Sequence, residues 1–118
     1  MIAKIFYLIV VLIHVYIVLL EMVFWKKRAA RVFRMPQALV EQTAPMASNQ
    51  GLYNLFLVVA LLLGLCLSDA RLATAFAAYA LGCVGVAGIW GALTVSPRIA
   101  VVQTLPALLA LVAGYFGL

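Results

Sequence analysis

The sequence predicts an all-α integral membrane protein, a bundle of four transmembrane helices in which residues 1–118 form a single domain. Hydrophobic residues make up 69% of the chain and charged residues 9%, and the mean hydropathy is +1.24. This composition is far outside the range of soluble domains. Strict alternation of apolar and polar residues is absent, which disfavours a transmembrane β-barrel. Helices are therefore the expected way to satisfy the backbone in lipid.

Four apolar stretches approach the length of about 20 residues that a helix needs to cross about 30 Å of hydrocarbon. The predicted spans are residues 2–25, 50–68, 73–95 and 99–118. The first span lacks a small-residue cleavage site and is followed by Lys26, Lys27 and Arg28. We therefore expect it to be retained as a span and not removed as a signal peptide. Short turns near residues 69–72 and 96–98 are expected to join the later spans.

The connection between the first two spans, residues 26–49, is the long one. Pro36 and Pro45 bracket a short segment within it, and we expect that segment to form a helix in the cytoplasmic membrane interface. Asn49 is expected to be the N-cap of the second span.

Lysine and arginine predict the orientation of the chain. Six of the eight lie in the first and third connections, and Lys4 and Arg71 lie on the other side. These connections should therefore face the cytoplasm, with both termini outside and the chain crossing the membrane several times. Most of the net charge of +5 lies beside a span. It favours contact with anionic lipid headgroups, at about 1 kcal/mol per basic residue, over nucleic acid as a partner.

Polar side chains inside the spans indicate a site, because an unsatisfied polar group in hydrocarbon is costly. Counting residues from the cytoplasmic ends places Glu21, Asn54, Thr94 and Gln103, one from each span, at a similar depth. We expect amide groups of Asn54, Gln103 and Gln50 to donate to Glu21. Tyr53 shares a helix face with Gln50 and Asn54 at helical spacing, so it joins the predicted site. Gly51 would permit a close approach of helices there.

Span one carries Tyr7, His14 and Glu21 at intervals of seven residues, which places them on one helix face that should point inward. His14 and Glu21 are separated by about 10.5 Å of helical rise, so the two cannot share one metal ion. Cys66 and Cys83 lie at different predicted depths and form no CxxC pair, so they predict neither a disulfide nor a zinc site. We expect no metal and no cofactor.

The third and fourth spans carry packing features. Span three contains glycines at positions 82, 85, 88 and 91, and such small residues let helices approach closely in lipid. In span four, Pro106 follows Gln103 and Thr104 and removes one intrahelical hydrogen bond, which predicts a kink close to the polar level.

Three segments resemble a family of small bacterial membrane proteins with four spans, the domain of unknown function thirteen-zero-four. They are HVYIVLLEMVFW at 14–25, NQGLYNLFL at 49–57 and AGIWGALTVSPRIAVVQTLPALLAL at 87–111. The resemblance covers nearly the whole chain. It implies a location in a bacterial cytoplasmic (inner) membrane, the four-span fold and a site matched here by seven residues: His14, Glu21, Asn49, Gln50, Asn54, Gln103 and Pro106.

Three functions fit this sequence. The first is a membrane enzyme of the isomerase or epimerase kind that acts on an apolar or lipid-like substrate, with Glu21 and His14 as catalytic residues. Six polar residues would bind the substrate: Asn49, Gln50, Tyr53, Asn54, Thr94 and Gln103. The second is a homo-oligomeric transporter or exporter subunit in which Glu21 couples transport to protons. The third is a scaffold or assembly partner whose polar groups fix helix register. The sequence leaves these alternatives open.

Overall fold

The computed structural model describes residues 1–118 and contains helices and no strands, which confirms the all-α fold class. The α-helices are α1 (Ile2–Met22), α2 (Trp25–Val32), α3 (Gln37–Cys66), α4 (Ala70–Thr94) and α5 (Leu105–Tyr115), and a π-helical segment, Ala100–Thr104, leads into α5. Three of them, α1, α3 and α4, are long and apolar enough to cross a membrane. The fourth predicted span contains a shorter apolar helical stretch, Ala100–Tyr115.

The start of α3 differs from the sequence prediction. Asn49 does not cap a helix, because α3 begins twelve residues earlier at Gln37 and runs through Pro45. The expectation of a separate short helix ending at Pro45 is therefore wrong. Val40 and Ala47 explain the difference, since they lie two turns apart on one face of this helix and are both buried. Burial of that face outweighs the hydrogen bond that Pro45 removes.

The chain divides into two compact units, to both of which α1 and α3 contribute. The first unit comprises residues 1–13 and 57–118. Its core contains side chains from α1, α3, α4 and α5: Tyr7, Val10, Val11, Leu61, Ala80, Leu81, Val84, Ala107 and Ala110. The second unit comprises residues 14–56.

Polar bonds and small residues fix the packing of the first unit. The Tyr7 hydroxyl donates to the backbone oxygen of Leu61 at 2.7 Å. The Thr104 hydroxyl donates to the backbone oxygen of Gly85 at 2.9 Å, so a polar group of the π-helical segment is satisfied on α4. A Cβ at Gly88 would meet the Thr104 side chain and lie 2.8 Å from its backbone nitrogen. Gly88 is therefore required for this close approach.

The predicted glycine face of α4 divides into tight and open positions. A Cβ at Gly91 would lie 2.7 Å from a side-chain carbon of Ile99, whereas a Cβ at Gly82 or Gly85 would have no neighbour within 4 Å. The prediction of close approach is thus confirmed for Gly88 and Gly91. A side chain would have room at Gly82 and Gly85, although Gly85 is buried and its backbone oxygen accepts from Thr104. The tight positions are those that face the segment before α5, because Gln103 and Thr104 lie against Gly88 and Ile99 lies against Gly91.

Helix ends follow local chemistry. Asp69 caps α4, and its carboxylate accepts from the backbone nitrogens of Arg71 at 2.9 Å and Leu72 at 3.1 Å. After α2, Arg34 adopts the left-handed conformation with φ of 52°, and the Met35 nitrogen donates to the Ala30 oxygen at 3.2 Å. This is a Schellman end in which an arginine occupies the position that usually holds glycine.

Candidate functional site

The centre of the candidate site is a hydrogen bond between α1 and α3 inside the second unit. Asn54 Nδ2 donates to Glu21 Oε1 at 2.7 Å. Glu21 is buried, with 6% of its surface exposed, and Asn54 is partly buried. A short bond between an amide donor and a carboxyl acceptor in an apolar surrounding stabilises both polar groups. The structure thus brings together two residues that the sequence placed in one site.

Gly51 permits this contact. A Cβ at position 51 would meet the Met22 side chain and would lie 3.1 Å from Glu21 Cβ. Asn54 follows Gly51 by three residues, nearly one helical turn, so the same face of α3 presents both residues to the end of α1. The sequence prediction that Gly51 allows close helix approach is confirmed.

Trp25 joins the start of α2 to α3 through hydrogen bonds in the same unit. Its indole nitrogen donates to the Val40 backbone oxygen at 3.1 Å and to the Thr43 hydroxyl at 3.2 Å. The sequence gives no direct signal for this contact, because a tryptophan at the end of an apolar span is typical of an interfacial anchor. The bonds hold the segment after Glu21 against the first turns of α3.

Glu21 also lines an open cleft with a volume of about 350 Å³. The lining residues are Glu21, Met22, Val23, Trp25, Lys26, Lys27, Ala44 and Ser48. Glu21 is therefore hydrogen-bonded to Asn54 and forms part of the wall of a cleft that Lys26 and Lys27 also line. Sequence reasoning assigned Lys26 and Lys27 to topology and lipid contact and did not include them in the site.

His14 lies on α1 two turns before Glu21 and is buried, with 1% of its surface exposed. Tyr7 is buried as well, so the predicted inward face of span one is confirmed. Every buried side-chain nitrogen and oxygen in the chain has a hydrogen-bond partner. No group of three His, Cys, Asp or Glu side chains is placed to hold a metal ion, and Cys66 and Cys83 are free thiols.

The other α3 residues that the sequence predicts for the site have no hydrogen bond to Glu21. Gln50 is exposed, and its backbone oxygen accepts from Asn54 Nδ2 at 3.3 Å. Tyr53 is exposed and packs edge-on against Phe56, with ring centroids 5.9 Å apart. Asn49 is exposed within α3. Binding roles for these side chains stay predictions.

Thr94 and Gln103 belong to the first unit. The Thr94 hydroxyl is exposed and donates to the Trp90 oxygen of its own helix at 2.8 Å. Gln103 is partly buried in the π-helical segment that precedes Pro106. Its predicted contact with Glu21 stays a prediction, because the two residues belong to different units.

Comparison with known proteins identifies a family. Residues 8–115 match the model of a family described as a protein of unknown function, DUF1304. No curated protein and no solved structure matches the chain. Since the matched range contains Glu21, Asn54 and nearly the whole chain, the protein belongs to the DUF1304 family.

Proposed function

We propose that the chain is a multi-span membrane protein that binds an amphiphilic ligand at Glu21. Glu21 would remove a proton from a carbon atom of this ligand and return a proton to the ligand, in an isomerase-type reaction. One observation carries the proposal: a buried carboxyl, hydrogen-bonded to an amide, lines a cleft large enough for part of a ligand. Ligand pockets in proteins have volumes of about 300–1,000 Å³. The cleft of about 350 Å³ suits a head group and the first few carbon atoms.

The chemistry needs few groups. In the proposed reaction the Glu21 carboxylate removes a proton from a carbon of the ligand, and the electron pair stays on the ligand as a stabilised carbanion. Glu21 then returns a proton to a neighbouring carbon on the same face of the ligand, which moves a double bond, so nothing is oxidised or reduced. The bond from Asn54 would hold the carboxyl in one orientation through both steps.

The position of Glu21 beside a cleft favours ligand binding over a role that is only structural. A polar pair that only fixes helix register needs no access from outside, and Glu21 lines an open cleft. We further propose that the chain lies in a bacterial cytoplasmic membrane, with the basic segment after α1 on the cytoplasmic side.

Solvent deuterium provides a test that does not require the substrate to be known. The protein is reconstituted with a bacterial lipid extract in D₂O, and the lipids are analysed by mass spectrometry. Proton abstraction and return through Glu21 would add one deuterium to a carbon-bound position in one lipid class. Glu21→Gln should abolish this exchange.

Glu41→Gln is the matched control, since it removes a carboxyl of the same size from an exposed position on α3. It should exchange as the unchanged protein does. Absence of any exchange by folded, unchanged protein, or equal exchange by Glu21→Gln, would refute the proposed reaction.

A further inference from the structure

Two lysines share the cleft with Glu21. Lys26 and Lys27 are exposed side chains at the start of α2, and both line the same cavity as the carboxyl. The three acidic residues of the chain have hydrogen-bond partners elsewhere: Asn54 for Glu21, Gln37 for Glu41, and the first turn of α4 for Asp69. Neither lysine is therefore among the hydrogen-bond partners of these carboxyl groups.

The distribution of charge within the cleft restricts its ligand. An anionic group is attracted to the two lysines and repelled by a Glu21 carboxylate, so it would bind at the lysine side. Met22 and Val23 also line the cleft and are exposed apolar side chains, which suits a hydrocarbon chain next to the anion. The same cleft thus offers an anion site and apolar surface.

We propose that the cleft selects an amphiphile with an anionic head group, a phosphate ester or a carboxylate, which Lys26 and Lys27 bind while the adjoining carbon atoms reach Glu21. The inference rests on the proposed function, because it places the substrate class in the same site. It differs from general attraction to an anionic bilayer because it assigns the binding to two of the five basic residues in this connection.

The test compares two pairs of basic residues. The protein is placed in phosphatidylcholine nanodiscs, phosphatidate is titrated in, and the bound fraction is measured by native mass spectrometry. Lys26→Gln with Lys27→Gln should weaken binding by about tenfold or more. Arg31→Gln with Arg34→Gln removes the same charge from the same connection but outside the cleft, and should weaken binding less than about threefold. Equal losses from both pairs would overturn the proposal.

Two further arms complete the test. Lys26→Arg with Lys27→Arg keeps the charge and should retain binding within about threefold, whereas a loss as large as that of the glutamine pair would contradict an electrostatic role. Inorganic phosphate alone is the second probe. It should compete with phosphatidate only at concentrations at least about a hundredfold higher. Competition at equal concentration would show that the site takes a free anion and would overturn the amphiphile assignment.

Failure of this inference is separable from failure of the proposed reaction. Binding that depends on the lysine pair, together with no deuterium exchange, would support the head-group assignment and refute the reaction. Exchange that depends on Glu21, together with equal losses from both basic pairs, would do the reverse.

Discussion

The amide of Asn54 and the carboxyl of Glu21 join α3 to α1 through a hydrogen bond of 2.7 Å, with Glu21 almost completely buried. A bond of this kind has two measurable consequences. It stabilises the fold, because removing one partner leaves the other unsatisfied, and it restricts the orientation of the carboxyl.

A double-mutant cycle should detect the bond between Glu21 and Asn54. We expect Glu21→Ala and Asn54→Ala to be coupled by about 0.6–1.7 kcal/mol, which runs from the average to the maximum that double-mutant cycles give for interhelical hydrogen bonds in a membrane protein. The measurement is the free energy of unfolding in mixed micelles for the two single variants and the double variant. Gln50→Ala is the control for Asn54→Ala, since its side chain is exposed one turn earlier on α3. A coupling below about 0.3 kcal/mol would contradict the bond.

Gly51→Ala should weaken the site. The added methyl group would meet Met22 and lie close to Glu21 Cβ, so α3 must move away from α1 by a few tenths of an ångström or more. We expect a loss of about 1–3 kcal/mol in stability, and a smaller coupling between Glu21 and Asn54 in the same background. Gly114→Ala is the control, because a Cβ there has no neighbour within 4 Å. Unchanged coupling in Gly51→Ala would contradict the role of the glycine.

Gly88→Ala and Gly82→Ala should have opposite effects although both lie on α4. The first brings a methyl group against the Thr104 backbone and should lower stability by about 1–3 kcal/mol. The second has open space, and alanine favours helix over glycine, so stability should stay equal or rise by up to about 1 kcal/mol. Thermal unfolding of the two variants in detergent checks this. Equal destabilisation by both would show that the whole glycine face is tightly packed.

Arg34 provides a test of backbone strain at the end of α2. Arg34→Asn and Arg34→Val both remove the charge, but asparagine tolerates a φ of 52° and a β-branched side chain does not. Arg34→Val should therefore be less stable than Arg34→Asn by about 1–2 kcal/mol. Chemical unfolding of the two variants side by side measures the difference in their free energies of unfolding. Since both variants lack the charge, this difference reports the cost of the left-handed backbone at position 34. If their stabilities are equal, Arg34 does not need the left-handed conformation.

Local chemistry and hydropathy predicted much of the fold and part of the site. The apolar runs predict the long helices, because length and composition alone decide which segments can cross a bilayer. The spacing of Tyr7, His14 and Glu21 predicts an inward face, and residue counting places Asn54 near Glu21. These inferences depend on helix periodicity, which follows directly from the spacing of residues in the sequence.

The features that sequence reasoning missed depend on tertiary contacts. Proline is a strong local breaker, yet α3 passes through Pro45 because buried Val40 and the bonds from Trp25 hold its first turns. A glycine pattern identifies a face but not which of its residues meets a partner, so Gly82 and Gly88 cannot be distinguished from spacing. Lys26 and Lys27 line a cleft because they lie in the first turn of α2, which begins at Trp25. The charge pattern alone does not predict this position.

The separation of 33 residues between Glu21 and Asn54 has a consequence for biosynthesis. At a synthesis rate of roughly 5–20 residues per second, the partner of the Glu21 carboxyl is made roughly 2–7 seconds after the glutamate itself. During that interval the carboxyl needs water or the insertion machinery to solvate it. We therefore expect α1 to remain near the insertion site until α3 arrives, so that the two helices enter the bilayer as a pair and not one after the other.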